Sequence, residues 1–143
     1  VQLNKINKQF EESDLREKRW HTLGRCERFK CDKIIRDATK AIWEKSDNGT
    51  DYTKIKKRDY NILTLICYFE EIAVGIKQNI FIEQIVKDLL ENDIKKAYEV
   101  FVLGKSGEIP GNKWKANKGI FLDTEVPYLK EIYHNWFINR KYI

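Results

Sequence analysis

Apolar residues along this chain recur at helical spacing, and the strict alternation of a strand is scarce. Leu3, Ile6 and Phe10 form a first stripe. Ser13 or Asp14 then offers a cap for the next helix, with Glu17 three residues after Asp14. From about Asp14 to Lys45 the pattern predicts one long helix. At ~100° per residue, Trp20, Leu23, Cys31, Ile34, Ala38 and Ile42 share its inward face, and Glu27 falls inside that face. Lys18, Arg25, Asp32 and Arg36 lie opposite, and Gly24 marks a bend or a close contact.

The segment from Lys45 to Asp51 reads as a loop. The next helix is expected from about Thr53 to Gln78, opening on Lys54, Lys56, Lys57 and Arg58. Ile62, Leu65, Ile66, Phe69, Ala73 and Ile76 make its main stripe, which Leu63, Cys67 and Val74 widen. A helix apolar over so much of its circumference belongs at the centre, covered on several sides. A turn near Gln78 leads to a helix over 81–90, and Asp93 is placed to cap another over 94–103 that Gly104 stops. Residues 104–123 hold Gly104, Gly107, Pro110, Gly111 and Gly119 and predict a long basic loop, a feature that is usually functional in a small domain. Thr124 is placed to cap a last helix with Leu129, Ile132, Tyr133, Trp136 and Phe137 inward. The expected architecture is all-α: one domain over 1–143, an irregular bundle of five to six helices.

Composition sharpens this picture. At 143 residues, with 42% hydrophobic and 34% charged side chains, the chain has the make-up of a folded domain rather than a disordered one. It contains no Met and begins at Val1, which suggests a trimmed or processed chain. The formal charge of +5 sits at the two ends, the middle third being close to neutral. Such an excess permits contact with nucleic acid or an anionic surface without requiring it. Three cysteines without a C-x-x-C pair argue against a disulfide framework and for a reducing compartment. No apolar run approaches the roughly 18–20 residues that span a bilayer.

Chemistry-bearing motifs are few. Gly104-Lys105-Ser106 ends like a phosphate loop, but Glu99 occupies the place of the first glycine and a helix precedes it. His21, Cys26 and Cys31 are five apart, so successive members point ~140° away from each other on a helix and do not converge on one ion. No nucleophile elbow and no paired metal motif occurs. Glu27 and Glu70 are the more interesting carboxylates, because each falls among apolar neighbours. A buried carboxylate needs an answering Arg, Lys or backbone donor, such as Arg16, Arg28 or Lys77, and two from different helices can bind a metal or move protons. At the surface, Lys113, Trp114, Lys115 and Lys118 could stack a base between phosphate contacts, anchor a protein partner, or fold back onto the helices.

The run Ile66-Cys67-Tyr68-Phe69-Glu70-Glu71-Ile72-Ala73-Val74-Gly75-Ile76, followed by Ile80-Phe81-Ile82-Glu83-Gln84-Ile85-Val86, resembles the core signature of the bacterial domain of unknown function 4760 family. Glu70, Ala73 and Gly75 match its pattern, while Cys67 stands where the family usually has Asn. The resemblance covers about residues 60–90. It implies a helical fold, a membrane tether carried by a segment absent from this chain, and residues 1–13 as the end of an upstream helical stalk, and it implies no activity.

These readings lead to an expected non-catalytic helical protein-interaction or regulatory domain of a bacterial or phage protein, without a cofactor or metal. Its place is the cytoplasm or the cytoplasmic face of a membrane, and its partner is another protein or a second copy of itself. The alternatives are nucleic-acid binding through Lys54, Lys56, Lys57, Arg58 and the basic loop, or a carboxylate metal centre built on Glu27 and Glu70.

Overall fold

Asp32 divides the long N-terminal helical pattern into two helices. In the computed structural model, which describes residues 2–47, 59–104 and 121–139, α1 runs Gln2–Cys31 and α2 runs Lys33–Asp47. The Asp32 carboxylate accepts hydrogen bonds from Ile34 N (2.9 Å) and Ile35 N (3.2 Å), capping α2 at the two donors an N-cap residue can reach. Its backbone still joins both helices, through Asp32 N to Arg28 O and Arg36 N to Asp32 O.

This break corrects the expected inward face. Ile35, Ala38 and Ile42 are buried on α2, whereas Ile34 is exposed. On α1 the buried residues are Thr22 and Cys26, with Phe29 half-buried against the core, and Trp20, Leu23 and Cys31 face outward. The expected stripe chained residues across position 32 as though the helix were continuous. It also favoured Trp20 over Thr22, a residue whose hydroxyl is satisfied both within α1, by Lys18 O, and by Ile82 N at the start of α4. Nor does α1 start at Ser13 or Asp14; it passes straight through both. A Cβ at Gly24 would meet only open space, so no close contact requires that glycine.

The central helix, α3, spans Tyr60–Lys77. It begins later than about Thr53, because Asp59 accepts from Asn61 N and Ile62 N and so marks its first turn. Ile62, Leu65, Ile66, Tyr68, Phe69, Ile72, Ala73 and Gly75 are all buried, and α3 packs against α2, α5 and α4. At its end Asn79 takes a left-handed conformation (φ 62°), and Ile80 N and Phe81 N both donate to Gly75 O.

A single helix, α4, then covers Glu83–Phe101. The expected restart at Asp93 is absent: nothing in Glu91-Asn92-Asp93 breaks a helix, and Asp93 sits half-buried within it. Beyond Gly104 (φ 68°), the described chain resumes with Phe121 N donating to Phe101 O. A 3-10 turn at Asp123–Glu125 leads into α5, Pro127–Tyr133, which widens into a π turn at His134–Ile138. Thr124 lies inside the 3-10 turn rather than capping α5. Leu129, Ile132, Tyr133 and Trp136 close the core as expected, with Phe137 packed at its edge. Five α-helices and no strand among the described residues make an all-α bundle.

Candidate functional site

The eight basic and aromatic surface candidates, Lys54, Lys56, Lys57, Arg58, Lys113, Trp114, Lys115 and Lys118, lie outside the described residues. The two carboxylates do not make a common site. Glu27 is exposed, because α1 turns its Cys26 side inward and its Glu27 side out. Glu70 is half-buried, and its two oxygens accept from Tyr128 N (3.0 Å) and Leu129 N (2.8 Å). It therefore serves the first turn of α5, whose N–H groups have no partner within their own helix. Burial raises the Glu70 carboxyl above its ordinary value, and those two N–H donors oppose the rise. Among the described residues no group of three or more His, Cys, Asp or Glu is placed to hold a metal ion.

The clefts beside α3 are edged by groups already engaged. In a cavity of about 240 Å³ between α1, α2 and α3, Arg25 pairs with Glu71, and Arg28 lies 3.4 Å from Asp32. Tyr68 donates its hydroxyl to Arg25 O beneath the guanidinium, which lies 5.6 Å from the ring centroid. The Nε of Arg25 is buried with no hydrogen-bond partner among the described residues. Cys67 lines the same cleft, but desolvation, then Glu71 and Glu70, raise its thiol, which disfavours the nucleophilic thiolate. Cys26 is pushed up to about 11 by burial alone. A second cavity of about 440 Å³ is lined by Leu63, Ile66, Cys67, Glu70, Phe121 and Val126, next to the point where the described chain resumes.

Two polar features escaped sequence reasoning. Glu99, only 6% exposed, accepts from the Tyr133 hydroxyl at 2.7 Å, while Tyr133 stacks on Tyr98 with centroids 4.4 Å apart. The available signal was a glutamate inside the run Tyr98-Glu99-Val100-Phe101-Val102. Thr22, fully buried, donates to Lys18 O and accepts from Ile82 N at 2.9 Å, fastening α1 to the start of α4.

A further feature among the described residues is the exposed outer face of α1. All residues from Gln2 to Glu17 are exposed, a stretch of about 24 Å at 1.5 Å per residue. On it Leu3 is 73% exposed, Phe10 66% and Ile6 46%, and Trp20 beyond it reaches 76%. An isolated exposed leucine needs no explanation, but a row of large apolar side chains on one helix face does. Comparisons with protein-family models, curated proteins and solved structures return no match to this chain. No described helix is long and apolar enough to cross a membrane.

Proposed function

We propose that this chain is a non-catalytic helical protein-interaction or regulatory domain of a bacterial or phage protein, acting in the cytoplasm or at the cytoplasmic face of a membrane. The observation that carries the reading is the apolar outer face of α1, which stands clear of a well-filled core. Large aromatic and aliphatic residues exposed together are the usual anchors of a protein interface. The engagement of Glu70, Arg25 and Glu71 in bonds between helices also supports a scaffold role for these polar groups.

The test is to purify the native protein from its host, with and without a high-salt wash, alongside a Phe10→Asp variant. A stoichiometric protein partner that survives salt and is lost from the variant is the expected result. Nucleic acid that leaves with salt, and no protein, would replace this reading with one built on the basic residues, since counterion release makes such binding steeply salt-dependent.

A further inference from the structure

We propose that α1 is a releasable strap. Its C-terminal part is held to the bundle by a short polar latch, and the helix swings away as a unit about Asp32 while α2 to α5 stay packed.

The docking is sparse for a helix of this length. Of the 30 residues of α1, Thr22 and Cys26 are buried, and Lys18, Arg25 and Phe29 are half-buried. Residues 2–17 are exposed and add nothing to the attachment. Apolar anchoring comes down to Cys26 and to Phe29, whose ring lies 6.2 Å from that of Tyr68 and 5.6 Å from that of Phe69. The remaining links are polar. Lys18 Nζ donates to Asn79 Oδ1, and the Thr22 hydroxyl accepts from Ile82 N at 2.9 Å. Arg25 pairs with Glu71, and the Tyr68 hydroxyl donates to Arg25 O. Exposed ion pairs stabilise little, and segments with few buried apolar contacts open before the whole molecule does.

Three further features favour release over global unfolding. Arg25 Nε is buried with no hydrogen-bond partner among the described residues, a desolvation cost that ends when α1 returns it to water. Asp32 gives its own carboxylate to Ile34 N and Ile35 N, so α2 keeps its capped first turn without α1. The third is topology. α1 packs on α4 and, next to Asp32, on α2, whereas α3 packs on α2, α4 and α5, and α4 packs on α5. The four remaining helices therefore hold one another when α1 leaves. Release uncovers the aromatic surface of Tyr68 and Phe69 and exposes Phe29 and the Cys26 thiol, so the open state presents an apolar face that the closed state hides.

Cys26, only 3% exposed, reports the opening. In the full chain with exposed Cys31 and Cys67 replaced by Ser, alkylation of Cys26 by iodoacetamide is followed by mass spectrometry. Urea is raised in steps below the unfolding transition, with reagent dilute enough for the rate to be proportional to its concentration. The slope of the opening free energy against urea measures the surface uncovered. The expected slope is clearly above zero and less than half that of global unfolding. Glu71→Gln, at an exposed position, should speed labelling about two- to five-fold with the slope unchanged. A slope equal to the global one means that α1 leaves only when the whole molecule unfolds. A slope of zero means that Cys26 is reached with α1 still in place. Either result overturns the proposal, and so does a Glu71→Gln chain that labels at the wild-type rate.

Discussion

The carboxylate of Glu70 on α3 receives the N–H of Leu129 at 2.8 Å, so the central helix caps the last one. Pro127 at the start of α5 has no N–H to offer, and Tyr128 and Leu129 present the next two donors, both of which Glu70 takes. Glu70→Ala removes both acceptors and leaves those N–H groups without them. We expect a loss of about 1–2 kcal/mol in urea unfolding, with α5 amides exchanging faster than those of α3. Glu70→Gln keeps one carbonyl acceptor and should lose less. A variant as stable as wild type would show that α5 is held by its apolar face alone.

Gly75 and Phe81 make a second prediction. A Cβ on Gly75 would lie 2.2 Å from Cδ2 and 2.3 Å from Cε2 of the Phe81 ring, which caps the turn between α3 and α4. Gly75→Ala gains helix propensity but must displace that ring, and overpacking of this kind costs about 1–3 kcal/mol. The double variant Gly75→Ala with Phe81→Ala should fall short of the sum of the two single losses. Strict additivity in thermal or urea unfolding would contradict the contact.

The hydroxyl of Thr22 takes the N–H of Ile82 at the start of α4. Thr22→Val keeps the shape and strips the acceptor, leaving a backbone donor without that partner at a cost of about 1–3 kcal/mol. Thr22→Ser should recover most of the stability. If Val proves as stable as wild type while Ser loses stability, the threonine matters for its methyl group and not for its oxygen.

Two carboxyls impose opposite pH dependence. The Ile35 N–H above all, then Ile34 N–H and Arg28, hold Asp32 below its ordinary 3.8. Its contribution is present above 3.8 and disappears as pH falls through the lower folded value. Burial holds Glu70 above its ordinary 4.5, so its increment is present below 4.5 and is lost as pH rises through the folded value. Urea midpoints from pH 2 to 7 should therefore fall less at the acid end in Asp32→Asn than in wild type. The decline of wild type on the neutral side should flatten in Glu70→Gln. Unchanged profiles in both variants would refute these assignments.

Helix content, the central place of α3 and the inward face of α5 could be read from residue order, because each rests on local periodicity. Ile62, Leu65, Ile66, Phe69 and Ala73 are apolar on enough sides that no partner arrangement could expose them all. Asp59 and Asp32 are caps whose donors lie two and three residues away, and yet residue order alone did not mark either one. Acids are common on helix surfaces, and only the backbone dihedrals tell a cap from an ordinary surface residue. What tertiary structure alone decided is which face of α1 turns inward. Periodicity ranks Trp20 above Thr22 for burial, but Thr22 can be buried because Ile82 N, sixty residues on, comes to meet its oxygen. Glu27 and Glu70 looked alike among apolar neighbours. One ends in solvent and the other under α5, since burial of a carboxylate depends on donors supplied from elsewhere in the chain.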